Sequence, residues 1–195
     1  MGDGLVRAER SRCGRNGTRK ARQPMLTART IVTTLGAHLL GAALSHAGPA
    51  EDCNQVRDLN RQLRGCTAYI EAGSIQPQNL ATAHVNRANI YAQRGDHARA
   101  FEDYAAAIEL DPRNPLAHYN RGNAYYDTGQ FELAIEDFTR AIELVPGFAL
   151  AYFNRGRAHE RVDDDEAAAD DYRSVLKLDP KAKAARERLK SLRSR

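Results

Sequence analysis

Tryptophan is absent from the 195 residues, proline occurs only seven times, and eight tyrosines and five phenylalanines are all the aromatic residues there are. The core must therefore be built mainly from Ala, Leu, Ile, Val and Tyr, a mixture that favours helices. No apolar run reaches the roughly 20 residues a helix needs to cross a bilayer, which excludes a multispan membrane protein. Catalytic signatures are lacking too. No Ser/His/Asp or Cys/His set, phosphate loop or pair of catalytic carboxylates can be picked out, so the chain does not read as an enzyme and no cofactor is expected. The acidic cluster of Asp163, Asp164, Asp165 and Glu166, with Asp170 and Asp171 beyond it, has neither the spacing nor the glycine turn of a calcium loop. It suits the amino terminus of a helix instead.

What charge there is falls unevenly. The net +4 is the sum of +6 over residues 1–50 (8 Lys/Arg against 2 Asp/Glu), −7 over 51–182 (15 against 22) and +5 over 183–195 (6 against 1). The segment with globular patterning is the acidic one. A basic whole-chain pI thus gives no ground for nucleic acid binding, because that segment repels phosphate.

Residues 1–24 are rich in Arg, Gly and Ser without an apolar period and read as a disordered basic extension, with Met25 as a second candidate for the translational start. Residues 25–50 have the order of a secretory signal: a short basic lead ending at Arg29, an apolar run from Thr30 to Leu44, then small residues offering a cut after Ala47 or Ala50. An organellar transit peptide and an amino-terminal helix packed on the domain are the other two readings of this stretch. Cleavage implies an exported chain, periplasmic or secreted, without a stable membrane anchor. The sequence Pro49-Ala50-Glu51-Asp52 before Cys53 is unlike a lipoprotein signal. Cleavage also removes Cys13 and leaves Cys53 and Cys66 as an even pair, either a disulfide or two thiols. A bridge between them closes a loop of about 14 residues, worth on the order of 3 kcal/mol in the chain-entropy model. Thirteen residues of continuous helix hold two Cα atoms roughly 20 Å apart, whereas a disulfide needs less than about 7 Å. Residues 53–57 must then run back along a helix that starts near Asp58.

Residues 81–114, 115–148 and 149–182 align without a gap. Asn86-Arg87 returns as Asn120-Arg121 and Asn154-Arg155, and Leu110-Asp111-Pro112 returns as Leu144-Val145-Pro146 and Leu178-Asp179-Pro180. Ala100, Ala134 and Ala168 hold one column, and Tyr104, Phe138 and Tyr172 another. Each copy reads as two helices, as in Leu116–Thr128 closed by Gly129 and Phe131–Leu144 closed by Pro146. Gly122 and Gly156 are small where a neighbouring large residue must enter. Asp163 stands where Gly95 and Gly129 close the earlier copies and tolerates the left-handed conformation. One hairpin cannot bury its apolar face, so the copies must stack. Ala182–Leu192 and Asp58–Ala72, each with one apolar stripe, supply caps at the two ends.

These units resemble the tetratricopeptide repeat. The resemblance covers 102 of the 195 residues and implies an all-α, right-handed α-solenoid of three 34-residue helical hairpins, with capping segments at 51–80 and 183–195. It further implies a concave groove lined by the first helix of each unit and a non-enzymatic role in holding an extended segment of a protein or peptide partner. The competing reading is a self-associating component of an envelope assembly.

Projection of the first helices at 3.6 residues per turn places Val85, Asn86 and Asn89 on one face, with Tyr119, Asn120, Asn123 and Tyr126, then Phe153, Asn154, Arg157 and Arg161, as their counterparts. The column of Asn86, Asn120 and Asn154 stands out, since Asn is a poor helix former whose amide both donates and accepts. It either binds the main chain of a ligand or ties one repeat to the next. Tyr119, Tyr126 and Phe153 would offer aromatic area. Family members that grip a terminal carboxylate are matched at Asn89 and Asn120, but Val85, Leu150 and Asn154 replace their cations, so that clamp is not expected. Arg87, Arg121 and Arg155 recur with Asp103, Asp137 and Asp171 sixteen residues on, an expected set of surface Arg–Asp staples. His84 and His118 share a column at a spacing of about 8–10 Å, too wide for one metal ion.

Overall fold

The computed structural model describes residues 48–54, 57–73 and 76–194, and among them there are nine helices. These are α1 (Pro49–Cys53), α2 (Leu59–Glu71), α3 (Pro77–Gln93), α4 (His97–Leu110), α5 (Pro115–Asp127), α6 (Phe131–Leu144), α7 (Ala149–Arg161), α8 (Asp165–Leu178) and α9 (Lys183–Leu192). The basic extension lies outside the described residues. So does the leader, apart from its last three residues, of which Pro49 and Ala50 open α1. Among the described residues no helix is long and apolar enough to cross a membrane.

Local chemistry sets the helix ends. Asp58, Asp96, Asn114 and Asp164 cap α2, α4, α5 and α8 by accepting from backbone N–H groups of the first turn, each such cap worth about 1 kcal/mol. Asp164 is the second member of the acidic cluster, which therefore starts a helix, as its composition suits. Pro77 and Pro115 stand at first helical positions, where no N–H is missed. Between the two helices of each hairpin the chain turns through a residue of positive φ: Gly95 at 74°, Gly129 at 80° and Asp163 at 58°. Asp163 keeps the turn without glycine because short Asp side chains tolerate that region.

Helices α3–α8 form three hairpins that stack in chain order, giving an α-solenoid. Both helices of each hairpin contribute small apolar residues to its core, and the buried rings stand in one column of the second helices. Tyr104, Phe138 and Tyr172 are at most 2% exposed, and Ala100, Ala134 and Ala168 are fully buried. The first helix of each hairpin accommodates those rings at one position. A Cβ on Gly122 would fall 2.8 Å from Phe138 Cε1, and one on Gly156 2.9 Å from Tyr172 Cε1, so glycine fits those two hairpins as they stand, while the first carries the small Ala88 in the same column. Leu189 and Ala185 of α9 cover Tyr172 and Val175, closing the carboxy-terminal end.

At the other end α1 and α2 stand where a further repeat would stand. Cys66 lies thirty-four residues before Ala100, in the same small-residue column, and the short α1 occupies the place of a first helix. It lies against α2, with the Cα atoms of Cys53 and Cys66 4.3 Å apart and their sulfurs 2.11 Å; of the residues 53–57 expected to run back along α2, 55 and 56 lie outside the described residues. The approach is through Gly65, where a Cβ would meet Asp52 Cβ at 2.5 Å and Cys53 N at 2.7 Å. Gln62 Nε2 donates to the Cys53 carbonyl (3.0 Å), and Arg61 Nε to Asp52 (2.8 Å).

Candidate functional site

The first helices α3, α5 and α7 present side chains 34 residues apart in rows. The rows are alike in sequence and unlike in what they do. In the asparagine row, Asn154 Nδ2 donates to Tyr119 Oη (3.1 Å) and to Asn123 Oδ1 (2.8 Å), tying the third repeat to the second. Asn86 Nδ2 donates to the Cys53 carbonyl (3.3 Å) and Asn54 Oδ1 (3.2 Å), tying the first repeat to α1. Asn120 has no hydrogen-bond partner among the described residues. Its amide lines a recess of about 330 Å³ with Asn89, Gln93, Tyr104, Asn123 and Asp127.

Two neighbours explain the exception. Where Tyr119 offers Asn154 a hydroxyl, the first repeat has Val85, which is 6% exposed and buried in the core. Where Asn123 offers its carbonyl, the first repeat has Asn89, whose side-chain oxygen is held on the Tyr104 hydroxyl at 2.6 Å and makes no bond to Asn120. Phe138 holds Tyr104's place in the second repeat and has no hydroxyl, which leaves Asn123 to accept from Asn154. Burial, then the charges of Asp103 and Asp127, push the Tyr104 phenol well above its ordinary value, so it stays a donor.

The predicted aromatics are half-buried. Tyr119 packs on Phe138 and Phe148, and Phe153 on Tyr172. Tyr126 lies under Arg157, whose Cζ sits 4.4 Å from the ring centroid, and one turn further on Arg161 Cζ sits 4.2 Å from the ring centroid of Phe131. Leu116 and Leu150, which the sequence did not mark as contact residues, share one column of α5 and α7 and are 54% and 60% exposed. Two leucines in one phase of adjacent repeats, outside the second-helix core columns, are the signal that marks them.

The Arg–Asp columns correct an expectation. They are not surface staples: Asp103, Asp137 and Asp171 are 4%, 4% and 3% exposed. Each meets its arginine along two edges, and His84 and His118 complete the first two sets at 2.8 and 3.2 Å. In the third repeat His and Tyr exchange places. Tyr152 holds the column of His84 and His118, while His159 holds that of Tyr91 and Tyr125 and brings Nε2 to 4.0 Å from Asp171. Burial alone would raise the Asp103 and Asp137 carboxyls. Hydrogen bonds from Arg87 with His84, and from Arg121 with His118, outweigh it and hold both below the ordinary carboxylate value. His159 is shifted down, chiefly by burial and against the pull of Asp171 and Asp164. These groups hold hairpins closed. Among the described residues no cluster of His, Cys, Asp and Glu is arranged to hold a metal ion.

Known proteins share this arrangement. Residues 88–129 match a family model for the TPR repeat, and 115–148 and 149–182 match models for the tetratricopeptide repeat. The second TPR domain of human RPAP3, solved in complex with the HSP70 peptide SGPTIEEVD, is 31% identical with a TM-score of 0.58, over 61% of this chain and 99% of that one. The first TPR of Spaghetti (RPAP3), bound to the HSP90 peptide SRMEEVD, is 29% identical with a TM-score of 0.59, over 62% and 97%. MamA, at 20% identity, shares the fold with a TM-score of 0.67 over 74% of this chain and 82% of its own. No curated protein matches. Three family matches that together span residues 88–182, over hairpins whose buried rings and small residues recur every 34 positions, make this chain a member of the tetratricopeptide repeat family.

Proposed function

We propose that this chain is a non-enzymatic interaction module that holds an extended segment of a protein partner along the face of its first helices. The observation that carries the reading is the Asn120 amide, which opens into a recess with no partner of its own while the other two members of its column are occupied. An extended main chain offers the alternating carbonyl and N–H groups such an amide can meet on both sides. Leu116 and Leu150 offer apolar area on the same helices to side chains of the segment. Peptide complexes of the RPAP3 domains, at comparable size and about 30% identity, support the assignment. Affinity in the micromolar range is expected, because a short array has few anchors to offset the ordering of the ligand.

Export is part of this reading. Cleavage after Ala47 leaves α1 whole, whereas cleavage after Ala50 removes its first two residues. Outside the reducing cytosol Cys53 and Cys66 form a disulfide that fixes α1. The functional test is selection of peptides from a displayed random-sequence library, followed by titration of a selected peptide against the chain and its Asn120→Ala variant. Micromolar binding weakened about tenfold, or roughly 1.4 kcal/mol, with an unchanged helical spectrum, is expected. Failure to select any peptide, or equal affinity of the two proteins, rejects the reading.

A further inference from the structure

Of the arginines on the first helices, Arg87, Arg121 and Arg155 are consumed by buried aspartates. Arg157 and Arg161 are not. They lie one turn apart on α7, in columns where the earlier repeats carry Asn89 and Asn123, and Gln93 and Asp127. Neither forms an ion pair with a described residue, and the one hydrogen bond either makes to another side chain is long, from Arg157 Nη1 to Asn154 Oδ1 at 3.5 Å. Both are nonetheless held in place. Arg157 lies over Tyr126 and Arg161 over Phe131, and the two rings meet edge to face with centroids 5.4 Å apart.

A guanidinium stacked on a ring has one face covered and its in-plane N–H groups still free, and less side-chain entropy remains to be lost when those groups bind. The group that fits the free edge is a carboxylate, met by two parallel hydrogen bonds. Glu160, the nearest acid on the same helix, is turned to Tyr172 Oη and Arg188 instead. We propose that Arg157 and Arg161 are a receptor for an acidic side chain of the bound segment. The proposal deepens the interaction reading above and rests on it.

The surroundings narrow the ligand further. The body of the chain, residues 51–182, carries a net −7 and repels a polyacidic segment, so the arginine pair selects one acidic residue in an apolar context. A terminal carboxylate is the poorer match. The positions that grip one in relatives are Val85, which is buried, Leu150, which is apolar, and Asn154, whose amide is already bonded. Leu150 precedes Arg157 by two turns of α7, roughly 10 Å at 1.5 Å per residue. An extended chain covers that distance in about three residues. The partner segment therefore has an apolar residue and an Asp or Glu about three positions apart.

The test uses the full chain against a displayed random-sequence library, with synthetic probes made from selected peptides as carboxy-terminal amides. Wild-type protein is expected to enrich Asp or Glu at that spacing from Leu, Ile or Phe. Arg161→Gln, at an exposed position, and Arg157→Gln should each weaken an acidic probe about tenfold, about 1.4 kcal/mol, and lose the acidic enrichment while still selecting apolar peptides. Thermal melts establish that each variant is folded, and Arg161→Gln alone suffices if Arg157→Gln is not. Apolar peptides without acidic enrichment would overturn this proposal and leave the interaction reading standing. So would unchanged selection by the variants, or binding that requires a free terminal carboxylate. If no peptide is selected, both fall together.

Discussion

Arg121 and Asp137 meet along two edges, Nε to Oδ2 at 2.7 Å and Nη2 to Oδ1 at 2.8 Å, and so clasp α5 to α6 at a site where the carboxylate is shut away from water. The burial sets the magnitude. Removing one partner of a buried pair leaves the other charged and desolvated, and Arg121→Leu is expected to cost about 3 kcal/mol, at the low end for buried pairs because the guanidinium side is partly wet. Arg140 and Glu143, 46% and 57% exposed, are the internal comparison. Arg140→Leu should cost less than about 0.5 kcal/mol. Urea denaturation of both variants decides the matter, and equal stability of Arg121→Leu and wild type would show that the clasp is not structural.

Acid should destabilise the fold in two stages. The folded-state value of His159 lies below the ordinary 6.5, with burial as the main cause, and its Nδ1 is buried without a hydrogen-bond partner. The unfolded chain therefore takes up this proton first. The stability involved is fully present above about pH 6.5 and declines as pH falls through the folded value, at no more than about 1.4 kcal/mol per pH unit for one group. Asp103 and Asp137, held below 3.8, contribute stability that is present above that value and lost below it. Denaturation midpoints across this range should fall twice, and His159→Gln should remove the first decline alone. A first decline that survives in His159→Gln would assign it to another group.

The fold was legible because a 34-residue period states which residues are neighbours. Gly122 against Phe138 and Gly156 against Tyr172 are contacts fixed by the size of one side chain and the phase of another. The cysteine spacing pointed to a return of residues 53–57 along α2, and the helix that lies against α2 is α1, which ends at Cys53. The site was legible only in part. The sequence marks Asn86, Asn120 and Asn154 as equals, but a hydrogen bond depends on what lies across the interface, and Val85 and Tyr119 are not equal. Nor was the burial of Asp103, Asp137 and Asp171 visible in a column of charges, because charge type alone does not say whether water reaches it.

Cys66 occupies the column of Ala100, Ala134 and Ala168, so Cys66→Ala exchanges it for the residue its site already accepts elsewhere. The change removes the tie to Cys53 with little loss of packing. With the two ends thirteen positions apart, the chain-entropy model gives a loss of about 3 kcal/mol. Wild type should melt lower in a reducing buffer, and Cys66→Ala should melt at one temperature with or without reductant. Wild-type melting that ignores the reductant would show that no bridge forms.

Asn154 and Asn120 should respond in opposite ways to the same truncation. Asn154→Ala deletes hydrogen bonds to Tyr119 and Asn123 and leaves the Asn123 carbonyl without its donor, so it should cost about 1–2 kcal/mol of stability. Asn120→Ala deletes no such bond and should leave the melting temperature unchanged while weakening peptide binding. The sharper variant is Tyr104→Phe. It puts in the first repeat the residue that the second carries as Phe138, releasing Asn89 from the Tyr104 hydroxyl. Asn89 can then accept from Asn120 as Asn123 does from Asn154. The open amide closes, and affinity for a selected peptide should fall although no atom of Asn120 has been altered. Titration of that peptide against Tyr104→Phe, with the melting temperature measured alongside, checks the prediction. Unchanged affinity in a folded Tyr104→Phe would mean that the freedom of Asn120 is not what the ligand uses.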